Sequence, residues 1–183
     1  MTIREQRLHF LQAGIGDLES YLLSDVLYWQ LPGPASRQRL TPGGLLLELT
    51  QIESQVEPTW QASEIRSIQS SLDRIRLEHR SAWERKIQQE IKARLQLWKA
   101  YLEEYRQNPD EQAAYYPKEV KWRVLLQLLL KEFPDPMVQA GSLFDLDKMV
   151  QSNWLPGNFL WEPYLMNAFQ QPDYWFLYGR LKP

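Results

Sequence analysis

Between Glu64 and Gln107 the chain has neither glycine nor proline, and this stretch constrains the fold more than any other. At about 1.5 Å rise per residue an unbroken helix over it would run roughly 66 Å. A compact globule of this chain length has a diameter of only roughly 40 Å. A single straight helix of that length cannot sit inside such a globule, so it must project, bend or pair with another chain. Both flanks carry boundary chemistry. Ser63 can cap the start, and Asn108-Pro109-Asp110-Glu111 both stops this helix and opens a short one, with proline at the first helical position and a carboxylate where a capping box wants one.

Apolar residues recur along the segment at Ile65, Ile68, Leu72, Ile75, Trp83, Ile87, Ile91, Leu95, Trp98, Leu102 and Tyr105, with His79 in the same row. The outer parts step by threes and fours and suit coiled-coil packing. The middle, from His79 to Leu95, steps only by four. Each such step overshoots a full turn by about 40°, so the apolar row turns by about 160° and its two halves face nearly opposite ways. That geometry predicts one half packed on the chain's own bundle and the other receiving a second subdomain or protomer. Arg74/Glu78, Arg80/Glu84, Lys86/Glu90, Glu90/Arg94 and Lys99/Glu103 form a charge ladder at i, i+4, read as a solvated face.

The rest of the chain also reads as helical. A first helix over about Arg4–Ala13 is expected to end at Gly14, and a second to start at Gly16-Asp17 and run to Pro32. Leu31 to Ser36 reads as a loop. Thr41 and Pro42 supply an N-cap and first-position proline for a helix through Gln55, closed by Glu57-Pro58. Pro117 opens a helix to about Phe133. Its alternating Val120-Trp122-Val124-Leu126-Leu128-Leu130 could belong to a strand, but Leu125 and Leu129 are apolar too, which favours a buried helix. Pro134-Asp135-Pro136 is a break, and Ser142 to Asp145 resembles a capping box. Leu155 to Asn158 reads as a turn, and short helices are expected from Pro163 and Pro172. The aromatic density of the tail, from Phe159 to Tyr178, argues for docking onto the bundle rather than disorder.

Composition narrows the function classes. Apolar residues at 44% and charged ones at 24% are ordinary for a soluble chain with a real core. No cysteine is present, which removes disulfides, thiolate nucleophiles and cysteine-ligated zinc. The N-terminus lacks a signal peptide's apolar run, and nothing approaches the roughly 20 apolar residues of a membrane span; a cytoplasmic location is the expectation. Residues 63–107 carry ten basic and seven acidic groups within a chain of net charge −2. That mild excess falls short of a nucleic-acid footprint.

Motifs that carry chemistry are missing. The two histidines, His9 and His79, are preceded at three residues by Gln6 and Arg76, so the Glu-x-x-His pairs of di-iron bundles are not met. No dinucleotide fingerprint, phosphate-binding loop or nucleophile elbow occurs. Pro42-Gly43-Gly44 can present backbone N–H groups to an anion at a helix start, yet no lysine or arginine adjoins it. No catalytic, cofactor or metal residue is assigned.

The resulting expectation is an all-α helical bundle, a single domain over residues 1–183. Its very long helix, about 64–107, is free to extend beyond the core, and its aromatic C-terminal segment is docked. The expected function is a non-enzymatic protein–protein interaction or scaffold module, self-associating or binding a protein partner through the long helix. The residues expected to carry it are Arg76, Arg80, Trp83, Ile87, Ile91, Leu95, Trp98 and Leu102. The rival is a small-molecule-binding or enzymatic bundle with a Trp/Tyr-lined pocket; a nucleic-acid-binding helical protein stands third.

Overall fold

The computed structural model describes residues 2–55, 60–132 and 137–183, without the side chains of residues 37, 60, 61 and 137–140. Helices dominate, with two small antiparallel two-stranded sheets, so the all-α expectation holds. The chain divides into two compact units, Met1–Glu90 and Ile91–Pro183.

In the first unit, α1 spans Ile3–Leu23 and starts from a capping box in which Thr2 and Glu5 satisfy each other's backbone N–H. The expected break at Gly14–Gly16 does not occur. A Cβ at Gly14 would lie 3.1 Å from the Leu40 side chain and 3.2 Å from that of Leu45. The glycine therefore serves close approach of α1 to these leucines, not helix termination. β1 (Trp29–Gln30) pairs with β2 (Arg39–Leu40) around a 3-10 turn at Gly33–Arg37, where a loop was expected. Gly33 has φ +60°, which suits a residue without a Cβ.

Thr41 caps α2 (Pro42–Glu53) as the sequence predicts, its Oγ1 accepting from Gly44 N at 3.0 Å. The helix ends two residues before Gln55, and the predicted closure at Glu57-Pro58 lies outside the described residues. α3 (Trp60–Glu78) already includes Ser63, which is thus no cap. α4 covers Arg80–Gln107. Only His79 separates them, and the backbone ladder passes through it: His79 N donates to Ile75 O, and Trp83 N to His79 O, both at 2.9 Å. The long helix is real, with a one-residue irregularity at the histidine. α1 runs antiparallel to α2, as Arg7–Glu48 and Gly14–Leu45 require, and parallel to α3, as Gln12–Glu64 and Glu19–Arg74 require. Leu11, Leu18, Leu45, Ile52, Leu72 and Ile75 are buried in this unit.

The second unit begins with the last turns of α4. Asn108 turns the chain, though its amide bonds the Glu111 carboxylate at 2.6 Å instead of capping the backbone. There follow α5 (Pro109–Gln112), a 3-10 turn (Ala113–Tyr115), α6 (Tyr116–Glu119) and α7 (Lys121–Lys131). α7 is a helix, as preferred over a strand. It buries one face, with Val124, Leu125, Leu126 and Leu129 inside and Leu128 and Leu130 partly accessible. The Pro134–Pro136 break lies outside the described residues. α8 (Met137–Ser152) contains the supposed capping box Ser142–Asp145 in its interior.

At the expected turn, Trp154–Pro156 forms β3, paired with β4 (Gly179–Leu181) in the register Trp154↔Leu181. The tail between them has a 3-10 turn from Pro163, the short α9 (Gln171–Tyr174) and a 3-10 turn at Trp175–Leu177. Its docking is secured by tyrosine hydroxyls donating to backbone carbonyls. Tyr116 reaches Phe176 O at 2.7 Å and Tyr105 reaches Lys182 O at 2.8 Å, while within the tail itself Tyr178 reaches Phe169 O at 2.8 Å.

Candidate functional site

Burial along the long helix corrects the reading of its faces. Buried positions beyond His79 are Trp83, Lys86, Ile87, Glu90, Ile91, Arg94, Trp98, Tyr101, Leu102 and Tyr105. A row through 83, 87, 90, 94, 98, 101 and 105 steps by threes and fours, close to the 3.6-residue period, and does not rotate. The 160° turn predicted above came from following apolar residues alone; Glu90 and Arg94, both charged, carry the buried row through the middle.

Of the residues expected to form an interaction strip, Trp83, Ile87, Ile91, Trp98 and Leu102 are buried and Leu95 is half-buried. Arg76 lies over the Trp83 ring at 5.2 Å and 3.6 Å from Asp73. Arg80 is exposed and pairs with Glu84 at 2.9 Å. The structure thus joins Arg76 to Trp83 and leaves Arg80 apart, and five of the eight expected positions are buried.

The charge ladder is paired at Arg74/Glu78 and Arg80/Glu84, but in the middle it is not a solvated face. Lys86 is fully buried. Its ammonium donates to Ser24 O at 2.9 Å and to Val26 O, and lies 4.5 Å from the Tyr21 ring centre. Burial, aided by neighbouring Arg85, lowers its pKa from the ordinary lysine value. Arg85 donates to Leu22 O at 2.9 Å, so two cations close the C-terminal end of α1, where the helix dipole favours positive charge. Glu90 is also fully buried. Its carboxylate accepts from Gly43 N at 2.7 Å. The anion that the Pro42-Gly43-Gly44 start invited is the chain's own Glu90.

Buried charge in the second unit is likewise structural. Arg123 makes a two-pronged pair with Asp147, 2.8 Å in each arm, bonds Gln127 at 3.0 Å and lies 4.3 Å from the Phe176 ring centre.

Among the described residues, this unit also has an open groove of about 480 Å³. The chain reverses at Asn108, and the segments on either side run antiparallel, since Tyr101 Oη donates to Gln112 O, Trp98 meets Tyr116 and Arg94 lies over Trp122. From α4 come Leu97, Ala100, Tyr101 and Glu104; from the returning segment come Glu111, Tyr115, Lys118, Glu119 and Trp122. Leu97 is 40% and Tyr115 50% exposed, so apolar surface is presented here without being needed by the core. Tyr101 forms the floor, stacked on Trp98 at 5.7 Å. Burial first, and then the Glu119 carboxylate, push its hydroxyl well above the usual tyrosine range. Glu119 accepts from Trp122 Nε1 at 2.8 Å. Among the described residues no ion pair engages Glu104, Glu111 or Glu119. Three carboxylates face one lysine.

Sequence reasoning missed this groove, though its signal was present. Leu97, Ala100/Tyr101 and Glu104 share one helical face, and Glu111, Tyr115, Glu119 and Trp122 follow at helical spacing beyond the Asn108-Pro109 turn. Folding the second row back onto the first brings them together.

The first unit has a contrasting groove of about 470 Å³, with Leu46, Leu49 and Leu72 beside Arg66, Arg76 and Asp73. Glu19, Glu78 and His79 come close enough together to ligate a cation. Arg74, however, lies 3.7 Å from Glu19 and 2.9 Å from Glu78, so its guanidinium already pairs with both carboxylates. No helix among the described residues is long and apolar enough to cross a membrane. No protein-family model, curated protein or solved structure matches the chain.

Proposed function

We propose that the chain is a non-enzymatic helical interaction module that receives a protein partner in the groove between α4 and the Pro109–Trp122 segment. The observation that carries this reading is the contrast in how ionisable groups are used. Lys86, Glu90, Arg123 and Asp147 are bound to backbone or to each other, which fits support of the fold. The groove instead sets carboxylates that have no ion pair among the described residues beside accessible Leu97 and Tyr115. Aromatic rings at a partly dry centre with a polar rim are the anatomy of protein interfaces.

Self-association through the long helix has weaker support, because Trp83, Ile87, Ile91, Trp98 and Leu102 are already buried. The small-molecule reading draws on the same groove, whose volume falls in the range of roughly 300–1,000 Å³ usual for ligand sites. Its openness and exposed rim favour a protein segment.

The test is capture of partners by the tagged protein and by Leu97→Asp and Tyr115→Asp variants, followed by titration of the purified partner. A protein that binds wild type saturably and is lost from both variants supports the proposal. Retention of the same proteins by all three forms would overturn it.

A further inference from the structure

We infer that the groove is a cation site, and that its occupant is a basic segment of a protein partner whose lysine or arginine side chain enters between Tyr115 and Glu104. The inference rests on the docking reading above and adds the chemistry of what docks.

Charge is the first argument. Glu104, Glu111 and Glu119 line the groove against Lys118 alone, and none of the three has an ion-pair partner among the described residues. Glu111 and Glu119 each accept one neutral hydrogen bond, from Asn108 and Trp122. Such bonds aim a carboxylate without neutralising it, and a carboxylate retains capacity for further donors.

Shape and polarity supply the second argument. A small inorganic cation would need oxygen ligands and no apolar wall. Here Leu97 and Ala100 offer an apolar wall, and Tyr115 and Trp122 offer aromatic rings, beside the acidic rim. An aliphatic stem ending in a positive head matches that combination, and an aromatic face attracts such a head. Trp122 already demonstrates the affinity within the chain, because the Arg94 guanidinium lies 5.1 Å from its ring centre. The basic groove of the first unit, with Arg66 and Arg76, has the opposite preference and serves as an internal contrast.

The probe is a fluorescein-labelled hexalysine peptide, with fully acetylated hexalysine as its uncharged counterpart, read by anisotropy. Two triple variants carry the same change in charge: Glu104→Gln, Glu111→Gln, Glu119→Gln in the groove, and Asp25→Asn, Asp145→Asn, Glu162→Gln outside its lining. Glutamine keeps an acceptor for Asn108 and Trp122, and circular dichroism checks that the helices persist. The groove triple is expected to weaken binding about tenfold or more and the outer triple less than about twofold, the difference being local charge that salt screens. Tyr115→Ala is expected to weaken it about threefold. Equal loss in the two triples, or equal binding of the acetylated peptide, would overturn the inference. A captured partner that needs Leu97 and Tyr115 but ignores the groove triple would also overturn it, while the docking proposal survived. Selective peptide binding with no protein captured would support the cation site and count against docking.

Discussion

The two units solve the same problem, satisfying buried backbone polar groups, by different means. The first is built mainly of long regular helices, whose orphan groups lie at their ends. Its helix ends are met chiefly with charges, Arg85 and Lys86 at the end of α1 and Glu90 at the start of α2, with one tyrosine, Tyr21, donating to Leu27 O just beyond α1. The second adds short helical pieces and two strands to its longer helices, so carbonyls outside regular ladders occur in its tail. It answers with tyrosines, whose hydroxyls reach Phe176, Lys182 and Phe169 carbonyls while their rings pack edge to face, as Tyr116 does on Trp154 and Tyr174 on Phe169. A tyrosine brings apolar area and one donor together, which suits irregular chain. The contrast explains why so many of the chain's aromatics gather at its C-terminal end.

Breaking each solution at its centre should give the largest effects. Arg123→Met leaves the partly buried Asp147 without its two-pronged partner and should cost about 3 kcal/mol, measured by urea denaturation. Gly179→Ala comes next. A methyl there collides with the Leu155 carbonyl oxygen and sits 2.5 Å from the Trp154 ring, an overpacking worth about 2 kcal/mol. In the first unit, Lys86→Met strands the Ser24 and Val26 carbonyls at a cost of about 2 kcal/mol. If Lys86→Met were neutral, the view that charge holds the end of α1 would fail.

How much of this was readable beforehand follows the same division. Thr41-Pro42, the long helix and the helical state of α7 were legible because each rests on local chemistry or on period. Gly14 misled, because a helical glycine and a terminating one look alike until the neighbouring Leu40 and Leu45 are known. Ser63 and Ser142 misled for a related reason: a serine before a carboxylate is a cap only if the preceding residues are not already helical. The middle of α4 was misread because buried Lys86, Glu90 and Arg94 break the apolar pattern by which a face is recognised. Their partners at Ser24 and Gly43 lie far away in sequence. The groove required pairing two rows across a turn, which periodicity in one segment does not reveal.

Tyr116→Phe sharpens the comparison by removing only a donor. The ring contacts with Trp98 and Trp154 persist, whereas the Phe176 carbonyl loses its partner. A loss of about 1 kcal/mol is expected, with faster amide exchange in the Trp175–Leu177 turn. No change in either quantity would mean that ring packing alone holds the tail.

The smallest effect is the most discriminating, because it separates carboxylates that build the fold from carboxylates left over for binding. Glu90→Gln keeps an acceptor for Gly43 N but removes the negative charge from the start of α2, which should cost about 1 kcal/mol. Glu104→Gln makes the same chemical change at an exposed residue with no ion pair among the described residues, and stability should stay within about 0.5 kcal/mol. The two substitutions differ only in surroundings, so matched denaturation curves isolate what those surroundings do. If Glu104→Gln proved as costly as Glu90→Gln, the groove carboxylate would belong to the fold, and its availability to a cation would have to be given up.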